Sequence, residues 1–366
     1  MQGAFVTSPL DEADLRIRVQ ACIDEELRRQ AVVLDELGPD VTDLLDRVGS
    51  LLAGGKRLRA AFLYWGHRAA GRADSDALVR LATAMEFFQA AALIHDDVMD
   101  DSDTRRGMPA AHRALAAVHN ERGWGGDDAR FGVAGAILAG NLCLTWTDEL
   151  VATSGLAAED LARGRVVFDR MRTQLMAGQF LDVVDSVRPW DDLPASERIE
   201  RAQRVIRYKS AKYTVEHPLL IGATAGGLGE ADLAHLSSYG LDLGHAFQLR
   251  DDLLGVFGDP EATGKPAGDD LREGKRTVLI AHTLSGTDDA GREAVRTQLG
   301  KPDLDATAIN NLRAIIIASG AVATVEAEIT HLATRARTSL ADATGVAPDA
   351  AAILDQLVEI STARTA

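Results

Sequence analysis

Residues 81–107 read LATAMEFFQAAALIHDDVMDDSDTRRG. From Leu81 to Ile94 the run is apolar at helical spacing with no alternating, strand-like register, so it predicts a buried helix. The acidic residues come at its end. Asp96 and Asp100 are four residues apart and share one helical face, and Asp97 lies beside Asp96. Like charges this close repel, so the arrangement calls for compensating cations. Carboxylate oxygens at this spacing suit Mg2+, a hard ion that keeps several waters and shares phosphate oxygens with a substrate.

A second stretch repeats the pattern. Residues 247–259 read FQLRDDLLGVFGD, an apolar helix that ends in the pair Asp251 and Asp252 and runs into a Gly-rich loop. A lone acidic helix end is as readily a solvated surface. Two of them facing each other could hold metal ions between them, with a diphosphate bridging the ions and its developing charge neutralised.

Outward from these stretches the patterning stays helical. It predicts helices over roughly 11–35, 40–53, 56–71, 75–101, 108–119, 130–154, 157–186, 195–225, 231–257, 269–284, 305–318, 320–343 and 347–363. Breaks fall at Gly123–Asp128 and Gly258–Asp270, where Gly, Pro and Asp cluster. With no repeat and no low-complexity linker, the expected architecture is all-α: a single large helical domain over 1–366, with a central cavity lined by the two Asp-rich helix ends.

Composition narrows the function. The 366 residues carry a formal charge of −16, which argues against nucleic acid as a partner. Phosphate chemistry on such a chain must rest on bound cations and a few placed Lys and Arg. The two cysteines, Cys22 and Cys143, are far apart, so a disulfide framework is not expected and a reducing cytoplasm fits. Met1 to Leu10 lack the pattern of a signal peptide, and no run of about 18 apolar residues stands out, so no membrane span is expected.

The basic complement is scattered. Lys56 and Arg59 stand in GGKRLR (54–59), Arg105 and Arg106 follow the first acidic cluster, Lys209 and Lys212 lie in YKSAKY (208–213), and Lys265 lies in the loop after the second. Singly, each reads as a solvated surface charge. In order, GGKRLR, Gln89, DDVMD, DTRRG, GQFLD, YKSAKY, FQLRDD and GKPAGDDLREGK resemble the trans-isoprenyl diphosphate synthases, the polyprenyl synthetase family, and in particular bacterial geranylgeranyl diphosphate synthases. The resemblance runs from about Gly54 to Thr277.

It implies an isoprenoid-synthase helical fold, a homodimer and a cluster of three Mg2+ ions. It also implies roles residue by residue. Asp96, Asp97 and Asp100 would hold metal against an allylic diphosphate, and Asp251 and Asp252 a further ion. Lys56, Arg59, Gln89 and Arg106 match positions that bind isopentenyl diphosphate. Arg105, Lys209 and Lys265 match those for the allylic diphosphate, while Gln248, Ser210 and Gln179 match polar positions beside the allylic substrate. His95, next to the Asp pair, reads as a packing residue rather than a base. The implied reaction is ionisation of an allylic diphosphate, attack by the isopentenyl double bond, and loss of a proton.

The chain departs from the family pattern at Gly255, where the second motif normally ends in aspartate; Asp259 is the nearest acid in sequence. Gln89 stands where many relatives have histidine, and both can donate to a phosphate oxygen. A terpene cyclase would not need the GGKRLR segment or Arg106, and a catalytically silent partner subunit would not keep both Asp pairs. In the family, bulky residues four or five positions before the first Asp close the product tunnel. Here those positions are Ala92 and Ala91, and the next bulky residue is Phe88, which implies a twenty-carbon product, geranylgeranyl diphosphate, rather than a fifteen-carbon one. Met171, Leu175 and Met176 are other candidates for the floor.

Overall fold

The computed structural model describes residues 8–190, 193–259, 268–301 and 303–363. It is all-α apart from one short hairpin. The first half comprises α1 (Leu15–Asp35), α2 (Thr42–Leu52), α3 (Leu58–Ala69), α4 (Asp76–Met99), α5 (Ala111–Glu121), α6 (Asp128–Ala152) and α7 (Ala158–Val187). Then come α8 (Ala195–Val205), a π-helical stretch (Ile206–Glu216), α9 (His217–Gly226) and α10 (Glu230–Phe257). After the undescribed loop follow α11 (Asp269–Arg272), α12 (Val278–Gly286), α13 (Asp289–Gln298), α14 (Ala306–Ala318), α15 (Ala321–Asp342) and α16 (Pro348–Thr362).

Helix α4 starts at Ser75, whose hydroxyl accepts from the Leu78 amide at 3.2 Å, an N-cap that satisfies one of the first free donors. From there it is buried on nearly every face, as its apolar sequence requires. It joins one core that includes Val19 and Ile23 of α1, Phe62 and Leu63 of α3, Leu150 of α6 and Leu243 of α10. A second core gathers Leu249, Leu253 and Val256 of α10 with Leu279 of α12, Ile316 of α14 and Val325 and Ile329 of α15. Helix α10 therefore contributes to both cores, and its acidic end lies where they meet.

Four local features differ from the sequence expectation. Residues 104–109 form an antiparallel hairpin, β1 (Thr104–Arg105) with β2 (Met108–Pro109), so the helix expected from 108 begins at Ala111. The turn residues Arg106 and Gly107 both have positive φ, 54° and 73°, as a two-residue type I′ hairpin requires. The expected helix over 195–225 is helical throughout but passes through the π stretch. The expected helix over 269–284 breaks at Gly274, where φ is +72°, giving α11 and α12. Helix α13 was not expected; Asp288 caps it by accepting from the Gly291 amide at 2.8 Å.

Two helices also reach the length and apolarity of a membrane span, against the expectation that no segment does. Their best windows have mean hydropathy 1.5 in α4 and 1.2 in α6. The α4 window is 72% buried within the fold, so its apolarity is that of a core helix; the α6 window is only 33% buried.

Candidate active site

Helix α4 delivers Asp96 and Asp97 on its last turn, with Asp100 as its C-cap residue. The hairpin then folds Arg105 back onto them. Arg105 Nε donates to Asp97 Oδ1 at 2.9 Å, and the same guanidinium lies 3.5 Å from Asp96 Oδ2. The other cations come from the π stretch and α7. Lys209 Nζ donates to Asp96 Oδ1 at 3.0 Å and to Asp182 Oδ2 at 2.5 Å, and Gln179 Nε2 donates to Asp96 Oδ1 at 3.0 Å.

The π stretch is wedged between glycines. A Cβ at Gly178 of α7 would lie 2.5 Å from the Tyr208 carbonyl carbon, and one at Gly244 of α10 would lie 2.5 Å from the Ala211 carbonyl oxygen. Only residues without a side chain allow that approach. A π turn hydrogen-bonds i→i+5 and often marks a functional segment; here it carries Lys209 and Ser210 beside the carboxylates. Ser210 is half-buried next to Lys209, whereas Lys212 turns away to pair with Glu216 at 2.8 Å.

The second acidic end is built differently. Asp252 is buried and accepts from Gln248 Nε2 at 2.8 Å, an i,i+4 contact along α10, while Asp251 is half-buried. A Cβ at Gly255 would fall 1.9 Å from Asp270 Oδ2, so the Asp270 carboxylate of α11 rests against the bare helix at that point. Asp259, the nearest acid in sequence, is exposed beyond the end of α10. Lys275 links the two ends: its Nζ is 3.3 Å from Asp270 Oδ1, 2.5 Å from Glu273 Oε2 and 4.0 Å from Asp100 Oδ2. Lys265 lies outside the described residues.

Charge follows this layout. Burial alone would raise the Asp96 carboxyl, but Lys209, Lys275 and Arg105 hold it well below the usual carboxylate range. Burial would lower Lys209, and Asp96 and Asp182 more than offset that, so it stays firmly charged. Asp100 is the opposite case. Burial and the neighbouring Asp96 push it up to about 6, and its Oδ2 accepts no hydrogen bond among the described residues. Burial pushes Asp252 up to about 8, with Asp270 and Asp251 adding to the rise against the Gln248 hydrogen bond.

These residues fit magnesium. The donors are hard carboxylate oxygens, and the two raised carboxyls are those that would gain most from a cation taking the place of their protons. Among the described residues no three acidic, His or Cys donors stand close enough to hold one ion. Mg2+ does not need such a cage, because it retains water and takes oxygens from a bound diphosphate.

A separate basic group surrounds the start of α3. Arg59 donates to Thr214 Oγ1 at 2.8 Å and stacks over the Tyr213 ring at 4.3 Å, while the Tyr213 hydroxyl donates to Gln89 Oε1. Arg106 donates to the Leu51 carbonyl at 2.8 Å, and its guanidinium lies beside Gly55. Lys56 is exposed just before the helix. The positions expected to serve one substrate thus gather from three separated segments. Arg57, between them, instead makes a buried ion pair with Glu86 at 3.1 Å. His95 faces away from the acids, its Nε2 3.2 Å from the Ile137 carbonyl of α6, in keeping with a packing role.

The polyprenyl synthetase family profile matches residues 42–316, three quarters of the chain. The chain belongs to the polyprenyl synthetase family. It is 31% identical over 311 residues to a geranylfarnesyl diphosphate synthase of Aeropyrum pernix, covering 84% of this chain and 89% of that one. A geranylgeranyl diphosphate synthase of Sulfolobus acidocaldarius is 30% identical over 250 residues, 68% of each chain. Among solved structures, a geranylgeranyl pyrophosphate synthase of Corynebacterium glutamicum complexed with isoprenyl diphosphate and magnesium superposes with a TM-score of 0.90 at 39% identity, covering 96% of this chain and 99% of that one. The enzyme is therefore a prenyltransferase with the all-α isoprenoid synthase fold, and its chemistry is prenyl chain elongation.

Several site residues were not singled out by sequence reasoning. Asp182 shares a face of α7 with Gln179, three residues away, and that spacing was the available signal. Asp270, Glu273 and Lys275 approach the acidic ends only through the path of the chain around Gly274, which no spacing rule anticipates.

Proposed function

We propose that the enzyme condenses isopentenyl diphosphate with allylic diphosphates to form geranylgeranyl diphosphate, using Mg2+ held by the two acidic helix ends. The observation that carries this reading is the Lys275 bridge between Asp100 and Asp270, which draws the two acidic ends to a shared space. Asp96, Asp97, Asp100, Asp251 and Asp252 would hold the metal, in the three-ion arrangement implied by family resemblance. When bound, the ions supply Lewis-acid neutralisation of the departing diphosphate.

The protein's own side chains then divide the work. Lys209, Arg105 and Lys265 orient the allylic diphosphate, with Gln179, Ser210 and Gln248 near its first carbons. As the C–O bond breaks, its electron pair leaves with the diphosphate; the isopentenyl double bond forms the new C–C bond, and the proton lost goes to the released diphosphate. Lys56, Arg59, Gln89 and Arg106 hold the second diphosphate. A cyclase would have no use for that second group.

Product length follows from α4. Below Ala91 and Ala92, Phe88 is buried with its ring edge-on to Tyr213 at 5.6 Å and tilted against Phe168 at 6.4 Å. It lies one helical turn below Ala92, roughly 4.5–6 Å at 1.5 Å per residue, room for about one five-carbon unit more than a fifteen-carbon product needs. Beyond it, Phe168 shares a narrow apolar void with Leu81 and Met85 of α4. Met171 and Leu175 are buried on α7, whereas Met176 is exposed and poorly placed to close the tunnel.

We read the chain as one domain, because α10 joins both cores, and as a cytoplasmic homodimer. The dimer reading is supported by the apolar exposure on α6 and α7, where Leu138 is 55% and Phe180 66% accessible. Incubating purified enzyme with labelled isopentenyl diphosphate, each allylic starter and Mg2+, then sizing the products, tests the whole proposal. A twenty-carbon main product is expected; no elongation with any starter would overturn it.

A further inference from the structure

We infer that Arg57, held in place by Gln20 of α1, is a positioning residue for the isopentenyl diphosphate subsite: it fixes the turn that presents Lys56 and Arg59 beside Gln89 and Arg106. This rests on the reading that those four residues bind the second diphosphate.

Of the three basic residues in GGKRLR, Arg57 alone is buried, with 4% of its surface accessible, and alone has a positive φ, +55°. A residue with a long side chain keeps that left-handed conformation only where its surroundings over-determine it. A buried guanidinium likewise has to be paired and hydrogen-bonded. Arg57 meets both demands with contacts to three helices. Its Nη1 donates to Glu86 Oε2 of α4 at 3.1 Å, and its Nη2 donates to Gln20 Oε1 of α1 at 2.6 Å and to the Leu52 carbonyl of α2 at 2.5 Å.

Each of these contacts fastens something that borders the subsite. Glu86 stands three residues before Gln89 on α4, and its Oε1 accepts from the Ala60 amide at 3.3 Å, so the first turn of α3 is set against the helix that carries Gln89. The Leu52 carbonyl follows that of Leu51, which accepts from Arg106 at 2.8 Å. Gln20 Oε1 also accepts from the Gly54 amide at 3.4 Å, while its Nε2 donates to Asp24 Oδ1 at 2.8 Å, which keeps Oε1 turned toward the 54–57 segment. Arg57 therefore lies between Lys56 and Arg59 in the chain and ties their turn to the supports of Gln89 and Arg106 in space. Gln20 precedes the matched family span of 42–316, so part of this support comes from α1, outside that span.

A split between the two substrates separates positioning from a merely structural ion pair. Arg57→Lys keeps the buried charge but cannot reproduce the guanidinium fork; it should raise the apparent KM for isopentenyl diphosphate about tenfold through the misplaced turn. Gln20→Ala leaves the Glu86 pair intact and removes one hydrogen bond to a charged group, so a rise of about fivefold is expected. In both, kcat and the KM for the allylic diphosphate should stay within about twofold of the parent, because the groups at the end of α4 are untouched. Thermal melting checks that each variant is folded, and Gln20→Ala carries the test where Arg57→Lys is not. Lys56→Ala, measured alongside, tests the underlying reading. If Lys56→Ala raises the KM for isopentenyl diphosphate and the folded Arg57→Lys and Gln20→Ala do not, Arg57 has no positioning role. Equal rises for both substrates in those two variants would mark a general loosening of the fold and overturn the inference. If Lys56→Ala leaves the KM for isopentenyl diphosphate unchanged, the subsite lies elsewhere and the inference falls with it.

Discussion

At the end of α4, three carboxylates stand on one helix and borrow their cations from elsewhere: Arg105 from the hairpin, Lys209 from the π stretch, Lys275 from beyond α11. At the end of α10 the helix carries only two, and the further acid arrives from a different segment. The first end is mostly pre-neutralised, so its Asp96 remains ionised at any ordinary pH. The second is buried with little positive charge on its own helix, and Asp252 rises to about 8. The difference teaches that like motifs can reach one function by opposite routes. One end is held ready by protein cations, whereas at the other burial favours the protonated form of Asp252.

The largest effects should come from removing a carboxylate at either end. Asp97→Ala and Asp251→Ala are each expected to lower turnover by about a thousandfold or more, with circular dichroism unchanged. If the comparison holds, Asp97→Ala should also leave Arg105 without its main partner, whereas Asp251→Ala should act chiefly through metal affinity. Measuring turnover against Mg2+ concentration separates them: only the Asp251 variant should recover substantially at high metal. Recovery of Asp97→Ala in saturating Mg2+, or no recovery of Asp251→Ala there, would break the comparison.

Smaller effects should distinguish the α4 cations from the basic group at α3. A charged hydrogen bond is worth about 1.5–3 kcal/mol, roughly a ten- to hundredfold change. Arg59→Ala or Lys56→Ala should raise the apparent KM for isopentenyl diphosphate by that order with kcat little changed, and Lys209→Ala should impair the allylic partner instead. Equal effects of all three on both substrates would mean that the two groups do not serve separate diphosphates.

The smallest effect on rate should be the clearest in product. Phe88→Ala is expected to lengthen the main product by about one five-carbon unit, opening toward the void at Met85, and Ala91→Phe to shorten it, as read by chromatography of the dephosphorylated alcohols. Metal dependence should not change, since the tail channel belongs to the α4 side alone. An unaltered product distribution in Phe88→Ala would make Phe88 an ordinary core residue.

Much of this was legible in the chain because helical periodicity is local. Asp96 and Asp100 share a face by spacing alone, and the apolar run before them could hardly form anything but a core helix. The hairpin at 104–109 was not, since two-residue strands leave no periodic trace, although Arg106-Gly107 is a workable type I′ turn. Helix α13 is largely polar, and its only advertisement was Asp288 ahead of a short helical run. Asp270 shows the harder limit. It sits fifteen residues past Gly255 along the chain, and only the fold brings its carboxylate against α10.

The π stretch sets a constraint of another kind, on length rather than composition. Each i→i+5 bond admits one residue more than the α-helical bond, so Ile206–Glu216 holds a surplus that a plain helix would not contain. Removing one residue there would let the segment relax into an α-helix and rotate everything on one side of the cut by about 100° relative to the other. Lys209 could then face Asp96, or Tyr213 and Thr214 could face Arg59, but not both. Substitutions in this segment can be absorbed one at a time, whereas a change in its residue count would uncouple the two diphosphate sites at once.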